Sequence, residues 1–303
     1  MRPSDAVAAL CAAPRGQLHI FVVPIPPGAF GWRDFSAPCP SAGEPQFLQM
    51  VDRIGIVKLM PTMRPADMVK QSDLKNKMLR ALTAEDFGLL EPYLEPVRLT
   101  SAFRIAEPRK TLEHVYFPES GIGSVLAVAA TGTATEAGMF GREGFVPTAT
   151  IIGDNEVPYL IEMHVAGSGY RIPIDQMRKA TLQSSTLQIP FIKYMHVFAT
   201  QVSYTSLANA KFRLEQRLAR WILMCHDRLR ADVMEITHDY IALLLGVRRP
   251  GVTTGLHLLE GLHLIRSTRG VIEILNRKGL EAYAAGSYGI PEQEFERLIG
   301  EAS

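Results

Sequence analysis

Residues 236–265 read ITHDYIALLLGVRRPGVTTGLHLLEGLHLI, and this stretch decides the fold of the C-terminal part of the chain. Ile241, Leu244 and Leu245 put one apolar face on a short helix. Thr237 is placed to cap its start, and Asp239 falls in the first turn, where a carboxylate suits the helix dipole. Gly246 stops that helix, because glycine takes the left-handed conformation without a Cβ penalty, and Val247 is expected to plug the angle that follows. Pro250 has no amide hydrogen and a fixed φ, which suits the first position of a second helix. In that helix Val252, Leu256 and Leu259 recur at i, i+4 and i+7 and face inward. Two short amphipathic helices joined by a glycine turn read as a helix-turn-helix, a motif that points to duplex DNA.

On this reading Arg249, Thr253, Thr254 and His257 face outward. The N-terminal part of the second helix meets base edges in the major groove, so Arg249, Thr253 and Thr254 are the expected base-reading residues, with Arg248 and His257 placed for phosphate. Past Gly261, LHLIRSTRGVIEIL runs as one strand, turns at Gly270 and alternates again, the layout of a β-hairpin wing from which Arg266 and Arg269 reach backbone phosphate. From Lys211 to Leu280 twelve Lys/Arg stand against seven Asp/Glu, a local excess of five positive charges in a chain whose net charge is +1. The helix pair alone fits an ordinary helical core equally well; the wing, the arginine pair and the local charge favour DNA.

Working outward, 303 residues give room for two ordinary domains, and 47% hydrophobic with 21% charged residues is a globular composition. No apolar run reaches the roughly 18 residues a membrane span needs, so no membrane partner is expected. Cys11, Cys39 and Cys225 form no CxxC pair, which argues against a disulfide framework, a zinc site or an iron–sulfur cluster. The sequence thus calls for no cofactor, and a cytoplasmic location is expected. Residues 1–70, with prolines frequent between Pro24 and Pro65, are expected to be a poorly structured leader, and they lack the basic, apolar and cleavage regions of a signal peptide. Initiation at Met60, Met63 or Met68 would leave every later element intact; a native peptide containing Trp32 would exclude it.

From about Leu74 brief alternating segments follow one another: VRLTSAF, EHVYFP, GIGSVLAVA, TATEAGMF, IEMHVAG and YRIPI, punctuated by glycines. Such spacing predicts a small antiparallel barrel or roll. Next, no proline or glycine interrupts the chain between Pro190 and Leu229, which predicts one long helix, about 60 Å at 1.5 Å per residue. Ala199, Ser203, Ser206 and Ala210 give it a stripe of small residues flanked by Met195, Phe198 and Val202 as larger knobs. A second stripe, Leu207, Leu214, Leu218, Ile222 and Cys225, runs nearer the DNA-binding end. One small roll cannot cover such a helix, so pairing with its twin in a homodimer is expected, with burial inside the same chain as the alternative. The chain therefore divides into a leader (1–70), a sensor roll (71–187), a dimerisation helix (188–230) and a winged helix-turn-helix (231–303), an α+β fold.

Between about Leu74 and Leu280 the chain resembles the Crp-Fnr superfamily of bacterial transcription regulators, on the strength of the helix-turn-helix with its wing, HVYFPESG (His114 to Gly121) and GREG (Gly141 to Gly144). The resemblance implies a jelly roll of the cyclic-nucleotide-binding type, a long dimer helix, a pseudo-palindromic operator and RNA polymerase as a partner. Members that bind cyclic nucleotides carry a Gly-Glu pair and, about ten residues on, an arginine that neutralises the cyclic phosphate. Here Glu143 lies between Arg142 and Gly144, yet TATIIGDNEVPYLIEM contains no arginine, so cyclic-nucleotide binding is not expected and the effector stays unassigned. Arg249 matches the position where the family sets an arginine on guanine, whereas Pro250 replaces an acidic neighbour and Thr254 a second arginine, which implies a different operator.

Other readings fare worse. His114, His164 and His196 are read as structural residues rather than haem ligands. Glu143, His164, Asp154 and Glu156 belong to no nucleophile elbow, P-loop, HExxH or paired-carboxylate pattern, so no enzyme is expected. The alternative function is a ligand-binding roll that acts through protein partners rather than DNA; a steep salt dependence separates the two. In the favoured reading an input at the roll moves a hinge near Ala231 and Asp232 and re-poses the recognition helices.

Overall fold

A computed structural model describes residues 6–13, 17–24 and 69–300. The chain divides into two units, Met1–Asp67 and Met68–Ser303. In the first unit β1 (Ala6–Ala13) and β2 (Gln17–Pro24) pair antiparallel, Ala6 opposite Pro24 and Ala13 opposite Gln17. This hairpin departs from the expectation of an unstructured leader. AVAALCAA and most of QLHIFVVP are continuous apolar runs, which a search for alternation passes over. Met60, Met63, Met68 and Trp32 lie outside the described residues.

The second unit opens with two short helices, α1 (Lys77–Arg80) and α2 (Ala84–Leu90). Asn76 caps α1 by accepting from the Leu79 amide at 3.1 Å, and its own amide donates to the carbonyls of Pro118 (2.9 Å) and Gly144 (2.8 Å), which pins the helix to the roll. The roll is built from β3 (Glu95–Leu99), β4 (Arg104–Ala106), β5 (His114–Pro118), β6 (Ile122–Val128), β7 (Ala134–Phe140), β8 (Leu160–Val165) and β9 (Gly167–Pro173). They form two antiparallel sheets, ordered β3-β9-β5 and β4-β8-β6-β7, the expected jelly-roll class. Leu99 and Tyr116 from one sheet meet Val125, Phe140, Ile161 and Met163 from the other, all buried. The packing is close: a Cβ at Gly123 would lie 2.1 Å from Phe140 Cζ.

Beyond the roll come α3 (Ile174–Gln183), α4 (Ser185–Lys211) and α5 (Leu214–Leu229). The single helix expected over 188–230 is thus two helices. Phe212 and Arg213 are extended, and the Arg213 amide donates to Gln216 Oε1 at 3.0 Å to start the second. No local helix breaker causes this. Arg220 donates from Nη2 to Thr205 Oγ1 (3.2 Å) and from Nε to the Ser287 carbonyl (3.0 Å), and Leu218, Trp221, Ile222 and Cys225 are buried in a shared core. Tertiary burial outweighs the modest propensity for continuing the helix.

Then follow β10 (Val233–Glu235), α6 (His238–Leu245), α7 (Arg249–Gly261), β11 (Ile265–Thr268), β12 (Val271–Ile274), α8 (Arg277–Tyr283) and α9 (Ile290–Leu298). The three strands form a sheet ordered β10-β12-β11, and α9 packs on α4. β10, α8 and α9 were not read from the sequence. One core joins α5, α6, α7 and this sheet to Ile122, Leu126 and Met139 of the roll, so the helix-turn-helix is seated on the roll. Two polar clasps hold α6 there: Thr135 Oγ1 donates to the Leu244 carbonyl (3.1 Å), and Tyr240 Oη donates to Glu162 Oε1 (2.9 Å). Among the described residues no helix is long and apolar enough to cross a membrane.

Gly246 closes α6 at φ 63° and ψ 38°, and a Cβ there would lie 3.1 Å from Thr135 Oγ1. Gly246→Ala is expected to cost about 1–2 kcal/mol for the left-handed backbone alone, measured by urea denaturation. A loss below a few tenths of a kcal/mol would contradict the turn.

Where the roll meets α5 and α6, His164 is buried beside Trp221 and Tyr240, with Nδ1 3.3 Å from Ser124 Oγ, and that hydroxyl also donates to the buried Glu136 carboxylate. Burial, then the charge of Arg228, push the His164 imidazolium down to about 3, while burial raises the Glu136 carboxyl. This arrangement buries His164 as a neutral imidazole between the roll and the two helices. The unfolded chain therefore takes up a proton on His164 below about pH 6.5 that the folded protein refuses, so this group's contribution is present above that pH and is lost as the pH falls towards 3. Glu136 has the opposite sign, losing stability as pH rises through its raised value. Between pH 6.5 and 5 we expect wild type to lose on the order of 1–2 kcal/mol more stability than His164→Gln, a difference in which the opposing contribution of Glu136, common to both proteins, cancels. Equal pH slopes for the two proteins would contradict a buried neutral imidazole.

Candidate nucleic-acid interface

The helix-turn-helix is assembled by local signals that behave as their chemistry dictates. Thr237 Oγ1 accepts from the Tyr240 amide at 3.3 Å, Pro250 sits in the first turn of α7, and Val252, Leu256 and Leu259 are fully buried. Behind the turn, Arg217 of α5 donates from Nη2 to the last-turn carbonyl of Leu245 at 2.5 Å, satisfying an orphan acceptor of α6. Gly251 and Gly255 let α7 approach α5 closely; a Cβ at Gly255 would lie 2.5 Å from Leu218 Cδ1.

Of the expected base-reading residues, Arg249 and Thr254 are exposed on α7. Arg249 Nε lies 3.4 Å from Asp239 Oδ1, with both side chains about two-thirds exposed. Such a surface pair is worth little and gives way readily to a stronger partner, so Asp239 aims the guanidinium without tying it down. Thr253 departs from the expectation. It is half-buried, and its Oγ1 is 3.1 Å from His238 Nδ1 at the start of α6, because the position next to Val252 turns towards the first helix. His238 is the residue that sequence reasoning missed here.

The expected phosphate-contacting residues Arg248 and His257 are exposed, Arg248 at the N-cap of α7. In the wing, β11 and β12 pair Arg266 directly with Glu273, and Arg266 Nη1 is 2.6 Å from Glu273 Oε2. Arg269 is exposed beside Gly270 (φ 75°) at the tip and makes no ion pair among the described residues. Arg269 is thus the freer of the two wing cations.

The long-helix stripes sort differently. Ala199, Ser203, Ser206 and Ala210 are exposed, and Val202 is half-buried. Met195 and Phe198 are half-buried against a core that α4 shares with the roll and the C-terminal helix, and a Cβ at Gly138 of the roll would lie 2.7 Å from Phe198 Cζ. Leu207 is exposed, apart from Leu218, Ile222 and Cys225, which are buried. Positions 189, 192, 196, 199, 203, 206 and 210 are all exposed at alternating steps of three and four, a seam that the small-residue stripe revealed only in part.

The GREG loop carries a feature that sequence reasoning missed. Arg228, at the end of α5 and only 6% exposed, places Nη2 2.8 Å from Glu143 Oε1, an ion pair whose angles fall short of a hydrogen bond. Its guanidinium also donates to the carbonyls of Met224 (2.8 Å) and Met139 (3.3 Å). Burial opposes the charge, but Glu143 and then Glu292 more than offset it and hold Arg228 protonated. Glu143 is therefore committed to a cation of the helix-turn-helix domain. Among the described residues no group of three or more His, Cys, Asp or Glu is placed to hold a metal ion.

A jelly roll followed by a helix-turn-helix with a wing defines a winged-helix class of DNA-binding architecture. Residues 216–283 match the Crp-like helix-turn-helix domain family, and the fold is that of the Crp-Fnr regulators. A transcriptional regulator of the Crp/Fnr family from Eubacterium rectale superposes with TM-score 0.55 at 18% identity, covering 68% of this chain and 96% of its own. FixK2 from Bradyrhizobium japonicum gives TM-score 0.55 at 15% identity (63% and 96%), and a CRP-family transcriptional regulator from Thermus thermophilus gives 0.54 at 16% (64% and 98%). No curated protein sequence matches the chain. Residues 216–283 thus form a helix-turn-helix domain of the Crp-like kind, and the chain shares its overall fold with these solved Crp/Fnr-family proteins.

Proposed function

We propose that the protein is a DNA-binding transcription regulator of Crp-Fnr type that acts as a cytoplasmic homodimer and reads a pseudo-palindromic operator. The exposed start of α7 carries the reading: Arg249 on guanine O6 and N7, Thr254 on an adjoining base edge, and Arg248, His257 and the wing arginines on phosphate. Thr253 joins the base contacts only if its hydroxyl leaves His238. The seam from Ile189 to Ala210 supports the dimer: exposed Ile189 and Ile192 anchor one end, and Ala199, Ser203, Ser206 and Ala210 let a second helix approach closely. Two-fold pairing presents two recognition helices to successive major-groove faces. RNA polymerase is the downstream partner in this reading. The roll's Glu143 is occupied by Arg228, and no arginine follows in 148–163, which supports a sensor that does not use a cyclic nucleotide.

Re-posing of the recognition helices has two sites of freedom in this reading: the extended pair Phe212–Arg213 between α4 and α5, and the bend at Ala231 and Asp232 after the left-handed Arg230. The test of the dimer is sedimentation equilibrium at micromolar concentration. Wild type should sediment as a dimer and Ser206→Glu, which sets two like charges on the seam, as a monomer. A monomeric wild type would contradict the proposal.

A further inference from the structure

A cavity of about 490 Å³ lies where the GREG loop, α4, α5 and α9 meet. It is separate from the interior of the roll, which Tyr116, Phe140 and Met163 fill. Its apolar walls are Val197 and Phe198 from α4 and Pro291 and Phe295 from α9. Four residues of the lining hold buried polar atoms without a hydrogen-bond partner: Arg228 (Nε) and Glu143 (both carboxylate oxygens), which face each other as an ion pair, and, outside that pair, Tyr194, 2% exposed, through its hydroxyl and Arg142 through its Nε. These last two line the same cavity, and Tyr194 packs on the GREG loop two residues beyond Arg142, where a Cβ at Gly144 would lie 1.9 Å from its hydroxyl oxygen.

As bare formal charges the lining holds three cations and four carboxylates, but pairing decides what is left over. Arg228 meets Glu143 at 2.8 Å, Lys77 meets Glu296 at 3.4 Å, and Asp227 is bound by Arg277 at 2.8 Å and by the Tyr288 hydroxyl at 2.6 Å. Glu292 accepts from the Gly289 amide, and burial favours its neutral form. Arg142 alone among these cations makes no ion pair in the described residues. Unsatisfied buried donors of this kind are costly and favour an acceptor that meets them.

We propose that this cavity binds a small monoanionic amphiphile, a carboxylic acid with an aromatic or alkyl body, its carboxylate on Arg142 and the Tyr194 hydroxyl and its body against Phe198 and Phe295. A second negative charge would face the Glu143 carboxylate. A sugar and base would need polar partners that the paired side chains do not offer. The occupant would join the roll to the C-terminal helix, and its binding is measurable with no DNA present, independently of the operator reading.

The test is calorimetry and thermal shift on the full chain with phenylacetate, indole-3-acetate and decanoate, their primary amides, and cyclic AMP. At least one acid should bind saturably with unit stoichiometry, at least about ten-fold more tightly than its amide, and Arg142→Gln and Tyr194→Phe should each weaken it by about ten-fold or more. Tyr194→Phe keeps the ring and so the packing. The proposal is overturned if no acid binds at millimolar concentration, if the amide binds as well as the acid, if both variants bind undiminished, or if cyclic AMP outcompetes every acid.

Discussion

Replacing Arg228 with methionine should destabilise the protein by about 3–5 kcal/mol, the cost of removing one partner of a buried ion pair. Methionine keeps much of the length and volume, so the loss reports charge rather than a cavity. What it leaves behind is the Glu143 carboxylate, 17% exposed in its side chain and without the cation that meets it at 2.8 Å. The carbonyls of Met139 and Met224 lose donors as well. The double variant Glu143→Leu/Arg228→Met should recover most of the loss, since an apolar pair of similar volume often replaces a buried ion pair at little cost. Urea denaturation of the three proteins decides the matter; a single-variant loss under about 1 kcal/mol would show that the pair carries little of the docking between the GREG loop and α5.

The second large effect is expected on DNA. A bidentate arginine–guanine contact discriminates by about 1–3 kcal/mol, and a dimer holds two copies, so Arg249→Ala should weaken operator binding by about 2–6 kcal/mol, roughly 30-fold to 10⁴-fold. The loss should fall on the operator and not on random duplex, because the proposed phosphate contacts from Arg248, His257 and Arg269 would be untouched. Fluorescence anisotropy on both duplexes reads this. Equal weakening on the two would assign Arg249 to phosphate instead.

How much of this was legible in the sequence follows from where each feature is decided. The helix-turn-helix is written locally: the Thr237 cap, the left-handed Gly246 and Pro250 in the first turn each act within a few residues, and the structure has all three. The roll was legible for the same reason, as alternation and glycine breaks are local. The break at Phe212–Arg213 was not, because it is settled by Arg220 reaching Thr205 and Ser287, far away in the chain. Nor was Arg228 with Glu143, 85 residues apart. That Met195 and Phe198 pack in part against the chain's own core was not legible either, because a helical wheel cannot say which apolar face is taken within the chain. The C-terminal helix did carry a signal: Pro291 in its first turn and Glu292, whose carboxylate accepts from the Gly289 amide at 3.1 Å. That signal lay past the wing, where the family resemblance ended.

The central claim is tested most directly by selecting bound sequences from a random duplex library with the purified full chain, with and without cell-extract metabolites. The account predicts an inverted repeat whose half-sites lie about one helical turn apart, roughly 10–10.5 bp between centres. Enrichment of no motif in either arm would contradict it.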